Sequence, residues 1–103
     1  MVKVSGCVKV IGINRLEQFG RKHSRAKSAL RAWLLVARQS KWKNLMEVRR
    51  TINTVSGGVN RSFTIFNIGG NNFRLITVIN YETETILIAD FLTHAEYDKW
   101  SQK

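Results

Sequence analysis

The chain reads as an α+β fold, with N-terminal helices packed on a small antiparallel sheet and a short C-terminal helix. Three observations predict this. Between residues 24 and 51 apolar residues recur every three or four positions, the period of a helix buried along one stripe. From Ser62 onward the pattern changes to runs rich in Ile, Val, Thr and aromatic residues, which suit the pleated, half-buried surface of a strand. The connections between those runs are a few residues long, which antiparallel hairpins permit and parallel crossovers do not.

The elements follow in order. Val8-Lys9-Val10-Ile11 alternates and is β-branched, so it predicts a short first strand. Asn14 is expected to cap a helix through Arg15–Phe19, and Gly20 to end it. Ser24 is expected to cap a longer helix whose buried stripe is Ala26, Leu30, Trp33, Leu34 and Ala37. Arg25, Lys27, Arg31 and Arg38 fall mostly on its other faces. Asn44 is placed to cap a short third helix, Leu45–Thr51, and the Ser-Gly-Gly content of Thr54–Asn60 predicts a loop. The strands are expected at Ser62–Ile68, Phe73–Tyr81 and Thr85–Phe91, with turns at Gly69–Asn72 and Glu82–Glu84. Thr93, with Glu96 three residues later, forms a capping box for the last helical turn. The expected pairing sets Asn67 opposite Arg74 and Ile68 opposite Phe73. In the next hairpin it sets Arg74 opposite Thr93 and Val78 opposite Ala89. Asn67, Arg74 and residue 89 then share one sheet face.

Composition limits the function classes. A chain of 103 residues with 44% hydrophobic content predicts one domain with a modest core, residues 1–7 being a flexible extension. Seventeen Lys and Arg against seven Asp and Glu give a formal charge of +10, which points to a nucleic-acid, ribosomal or acidic-protein partner; the plainer alternative is a solubility surface. Eleven basic residues lie between Arg15 and Arg50, so the helical layer is the expected electrostatic footprint, with Lys22, Arg25 and Arg31 as candidate RNA contacts. A single cysteine excludes an intramolecular disulfide and fits a reduced, cytoplasmic setting. Two His and one Cys argue against structural zinc, and neither a phosphate loop, a signal peptide nor a membrane-length apolar run is expected.

The polar chemistry gathers in the last third. FNIGGNNFRL and THAEYDKW bracket otherwise apolar strand sequence, so Asn67, Asn71, Arg74, His94 and Tyr97 sit near strand ends and turns. Each has a plainer reading. Arg74 can pair with Glu82, Glu84 or Asp90. His94 can be a helix-start residue bonded to backbone, and Asn67 and Asn71 can serve turn geometry alone. Tyr97 and Trp100 can be core aromatics of a docking helix, as Trp33 is expected to be. Trp42, between lysines, suits either stacking on a base or packing, and His23 belongs to a solvated edge.

FNIGGNNFRL, followed about twenty residues later by THAEYDK, resembles the HigB toxins of bacterial toxin–antitoxin pairs, members of the RelE/ParE-like group of small basic toxins. The resemblance extends to VIGINRLEQFGRKHSRAKSAL and Trp33, and covers roughly residues 8–100. It implies a ribosome-dependent mRNA endonuclease that needs neither metal nor cofactor. The RNA 2′-OH attacks the adjacent phosphate, leaving a 2′,3′-cyclic phosphate and a 5′-OH. Arg74, His94 and Tyr97 are then the catalytic candidates. A guanidinium binds phosphate oxygens in a fork, an imidazole, with a reference pKa of about 6.5, exchanges protons near neutrality, and a phenol one helical turn on orients, donates or stacks. Arg61, Asn67 and Asn71 join Lys22, Arg25 and Arg31 as RNA contacts. The implied partners are a HigA-like antitoxin, mRNA and the ribosome, with no membrane, the toxin being a monomer within a hetero-oligomeric complex.

Two positions depart from the family's pattern. Relatives typically carry Arg at the position of Ala89, and often a basic or polar residue at Phe63, for which Arg61 is a candidate substitute. Loss of a phosphate-stabilising donor elsewhere costs on the order of a hundred- to thousandfold in rate. An attenuated natural toxin, a chain altered to be tolerable to its host, a ParE-like gyrase poison and a non-catalytic RNA- or ribosome-binding module all remain open at this point.

Overall fold

The computed structural model describes residues 9–40, 42–52, 63–70 and 72–101. The expected Thr54–Asn60 loop, the 1–7 extension, Arg61 and Asn71 lie outside the described residues. The element order is β1 (Lys9–Ile11), α1 (Ile13–Lys22), a 3-10 turn (Ser24–Ala26), α2 (Lys27–Gln39), α3 (Leu45–Thr51), β2 (Thr64–Ile68), β3 (Phe73–Asn80), β4 (Thr85–Thr93) and α4 (His94–Ser101). The strands form one sheet in the order β1-β4-β3-β2. The α+β class is as expected, and β2, β3 and β4 are antiparallel. The sheet as a whole is mixed, because β1 joins the free edge of β4 in parallel, Val10 facing Ile86.

Helices α1 and α2 cover one face of the sheet. Leu16, Leu30, Trp33 and Ala37 pack in one cluster with Val10, Phe66, Phe73, Leu75, Ile86, Ile88 and Phe91. Of the expected α2 stripe only Leu34 is partly exposed. Trp42 is a packing residue: it is 6% exposed, stacks on Phe66 and donates from Nε1 to Thr51 Oγ1 at 3.1 Å. His23, expected on a solvated edge, packs its ring 5.1 Å from Phe73 and 5.7 Å from Phe91.

Three capping expectations need correction. Helix α1 begins after Gly12, not at Asn14. Gly12 takes φ 101°, and its carbonyl accepts from the backbone N–H of Arg15 and Leu16. A Cβ there would sit 3.1 Å from Ile88 Cβ, so both the backbone angle and the close approach require glycine. Gly20 does not end α1. It lies one turn earlier, where a Cβ would meet Lys27 Cγ at 3.4 Å, and its role is close approach between α1 and α2. Ser24 opens a 3-10 turn, and α2 proper follows Ala26 with no side-chain cap. Asn44 does cap α3, accepting from Glu47 N–H at 3.0 Å.

The first hairpin has the expected register, Asn67 facing Arg74 and Ile68 facing Phe73. The second does not. Arg74 faces Leu92 rather than Thr93, and Val78 faces Leu87 rather than Ala89. Two causes add. Asn80 Oδ1 accepts from Glu82 and Thr83 N–H, and Glu84 takes φ 54°, so the turn closes at the Asn80–Thr85 pair. The ladder then slips between Ile76, which faces Asp90, and Thr77, which faces Ile88. Ala89 is the extra residue of this bulge and has no cross-strand partner, so the expected shared face of residue 89 and Arg74 does not follow from pairing.

Candidate active site

The site lies on the sheet face opposite α1 and α2. Arg74 stands on β3 between Phe73 and Leu75, both of which turn to the helical layer, so alternation sends its side chain the other way. Opposite it on that face are Asn67 of β2 and Leu92 of β4. Ile65 and Ile76, on the same side, are each 1% exposed.

Helix α4 brings the remaining chemistry. Thr93 and Glu96 form the expected capping box: Thr93 N–H donates to Glu96 Oε1 at 2.9 Å, and Glu96 N–H donates to Thr93 Oγ1 at 3.2 Å. The bond from the Thr93 backbone holds the Glu96 carboxyl below its usual range; burial opposes it, and the Thr93 hydroxyl and the nearby Lys22 and His23 add smaller lowering effects. His94 N–H donates to Asn72 O at 2.9 Å, which ties the start of α4 to the Gly69–Asn72 turn. That turn depends on Gly69 and Gly70, at φ 63° and 71°. The cap and the turn together aim His94 at Arg74.

Arg74 is 8% exposed. Its Nη1 donates to its neighbour's carbonyl, Phe73 O, at 3.1 Å. Its Nη2 lies 3.1 Å from His94 Nδ1, and its guanidinium carbon lies 5.5 Å from the centre of the Tyr97 ring. A guanidinium only donates, so Nδ1 accepts and the imidazole carries its proton on Nε2. That nitrogen lies 3.4 Å from Asp98 Oδ2, one turn along α4. Tyr97 stacks on Trp100 at 5.7 Å, and Trp100 meets Phe63 edge-on at 5.4 Å. Trp100 and Phe63 thus help seat α4.

Of the residues singled out in the sequence, Arg74, His94 and Tyr97 are in mutual contact through Arg74, and Asn67 faces Arg74 across the ladder. Lys22 lies at the rim, near enough to Glu96 to act on its charge. Arg25 and Arg31 sit on the helical layer, across the sheet from Arg74. Arg31 lines a cavity of about 330 Å³ between α1 and α2, with Ile13, Leu16 and Leu34. Asp98 was not singled out, although its i, i+4 spacing from His94 on a helix was a readable signal. Among the described residues no three His, Cys, Asp or Glu side chains come together as a metal site, and no helix is long and apolar enough to cross a membrane.

Residues 26–100, which carry Asn67, Arg74, His94, Tyr97 and Asp98, match the family model for HigB_toxin, the RelE-like toxic component of a toxin–antitoxin system. The chain belongs to the HigB toxin family. It is 27% identical over 84 residues to an mRNA interferase HigB of Escherichia coli O6:H1, covering 81% of this chain and 82% of that protein. An mRNA interferase toxin HigB of Escherichia coli K12 and an mRNA interferase HigB of Shigella flexneri are each 38% identical over 34 residues, a third of either chain. This HigB-family chain is therefore a toxin component, and its family supplies an antitoxin as partner.

Proposed function

We propose that the chain is a ribosome-dependent endoribonuclease that cleaves mRNA by attack of a 2′-OH on the adjacent phosphate. The single observation that carries this reading is the contact of Arg74 Nη2 with His94 Nδ1 at 3.1 Å, beneath the Tyr97 ring. It sets a phosphate-binding fork beside a proton acceptor, the two groups this chemistry needs at adjacent atoms. The names of the relatives, mRNA interferases, support the same reaction.

In this reading the scissile phosphate draws the guanidinium from His94, and the freed Nδ1 takes the proton of the 2′-OH. The O2′–P bond forms and the P–O5′ bond breaks. Arg74 holds the charge that develops on the phosphoryl oxygens, and the departing O5′ takes a proton from Tyr97 or water. Asn67 and Lys22 contact RNA near the site, Arg61 and Asn71 extend that contact, and Arg25 and Arg31 bind the ribosome or RNA more remotely. Ala89 leaves out a cation typical of relatives, which makes the chain an attenuated member. The protein works in the cytoplasm as one toxin domain, 1–103, monomeric until a HigA-like antitoxin covers it.

The test is cleavage of a defined mRNA in a translating extract. His94→Gln keeps the ring's size roughly and removes its basicity. A loss of about 10²–10⁴ in rate is expected, the usual range for a positioned acid–base group. Wild-type kinetics in folded His94→Gln protein would make His94 only a helix-start residue. Absence of cleavage by the wild-type chain, with inhibition of DNA supercoiling instead, would move the chain to the gyrase-poisoning class.

A further inference from the structure

Asp98 touches His94, and the reading above gives it no task. We propose that it positions His94: it accepts the Nε2 proton and supplies the countercharge for the imidazolium that forms when Nδ1 takes the 2′-OH proton. This inference rests on the nuclease reading. Arg74 makes Nδ1 the accepting nitrogen, which leaves Nε2–H facing Asp98 Oδ2 at 3.4 Å. The two side chains share a face of α4 by their i, i+4 spacing, and the capping box fixes where that face points.

The need for such a group follows from the proton's path. While Arg74 bonds to Nδ1, it fixes the ring by itself. Once the phosphate takes the guanidinium, that restraint is gone at the moment Nδ1 must face the 2′-OH. A carboxylate on Nε2–H holds the ring in the same orientation. It also opposes the repulsion between the new imidazolium and the nearby guanidinium. A Ser-His-Asp triad uses its Asp in this way, with the nitrogens exchanged. Asp98 and His94 are about half exposed, 56% and 48%, so water screens the pair until RNA covers it. The expected loss is therefore about ten- to a hundredfold in rate, well below the ~10⁴ of a buried triad Asp.

The experiment uses the full chain carrying Asp98→Asn, Asp98→Ala or His94→Gln, and the Asp98→Asn/His94→Gln double variant. Single-turnover cleavage of ribosome-bound mRNA should fall for both Asp98 variants at saturating protein, with the half-saturation concentration unchanged. Asp98→Asn should add nothing to His94→Gln, because Asp98 acts through that ring. Losses that add, or full-rate cleavage by Asp98→Asn, overturn the proposal. The ring ¹⁵N spectrum of His94 separates this inference from the nuclease reading. Its Nε2 resonance should move in Asp98→Ala, whether or not the wild-type chain cleaves RNA. A resonance that stays put removes Asp98 as the residue that holds the ring.

Discussion

Replacing Arg74 by Lys keeps a positive charge at the site and removes the fork. In the folded chain Arg74 bonds to Phe73 O and His94 Nδ1 and lies over Tyr97. An ammonium reaches at most some of these positions, with different geometry. Each lost hydrogen bond costs about 0.5–1.5 kcal/mol, so the destabilisation expected is about 1–2 kcal/mol. For a chain of this size that lowers Tm by roughly 4–16 °C, at about 4–8 °C per kcal/mol, and leaves the protein folded at 25 °C if its stability is the usual ~5–15 kcal/mol. Cleavage should fall much further, on the order of 10²–10³, because in the proposed reaction the fork meets charge that develops only in the transition state. Calorimetry gives the first number, and single-turnover cleavage at 25 °C on translating ribosomes gives the second. An Arg74→Lys protein that melts lower yet cleaves at the wild-type rate would refute the reasoning, since Arg74 would then be only a structural contact for α4.

Replacing Lys22, Arg25 and Arg31 together by Glu should weaken ribosome or RNA binding and flatten the linear fall of log affinity with log salt; an unchanged slope counts against the helical layer as the footprint. Acid should loosen α4. The Glu96 carboxyl is held below its ordinary value of 4.5, so the stability it contributes is full above that pH and fades as pH drops through its lowered folded value. Thr93→Ala should lower stability at neutral pH by about 1 kcal/mol, the usual cost of a lost N-cap, yet keep most of the acid dependence, because the backbone N–H of residue 93 still donates to Glu96; melts across the acid range would record both. Ala89→Arg should increase cleavage and toxicity at matched protein and salt if a cation at that position reaches the phosphate. Equal rates for the two proteins would mean that Arg61 or another cation already fills the role and that the chain is not attenuated.

Much of the fold was legible because local chemistry and burial agree. The α2 stripe, the Asn44 cap, the Thr93–Glu96 box and the Asn67–Arg74 pair are each written within a few residues of sequence. The failures come where a distant neighbour decides. Gly20 looks like a helix stop until Lys27 of the next helix is seen to approach it. Gly12 rather than Asn14 starts α1, from a left-handed conformation and with Ile88, far along the chain, crowding the place a Cβ would take. His23 looks solvated until Phe73 and Phe91 come beside it. The bulge is the hardest case, since no residue type marks it and only the pairing of two strands reveals the extra residue. At the site, Arg74, His94 and Tyr97 were readable as chemistry and spacing, whereas Asp98 gains its meaning from the direction of one histidine nitrogen.

That bulge also decides where the site is. Along β4, Ile86 and Ile88 point to the helical layer. Strict alternation would send residues 90 and 92 the same way and turn Phe91 and Thr93 to the other face. The extra residue at Ala89 exchanges the two sets. Phe91 returns to the core against Phe73 and Phe19, while Asp90 and Leu92 take the side of Ile76 and Arg74. The shift is paid for locally by one unpaired residue, and it matters because α4 follows β4 without a linker, beginning at His94 directly after Thr93. Without the extra residue the helix would leave the strand turned toward the face that α1 occupies. With it, α4 meets the uncovered face, and His94 arrives 3.1 Å from Arg74. The residue type at position 89 sets what charge is present there, but the existence of position 89 as a bulge is what brings His94 and Arg74 together.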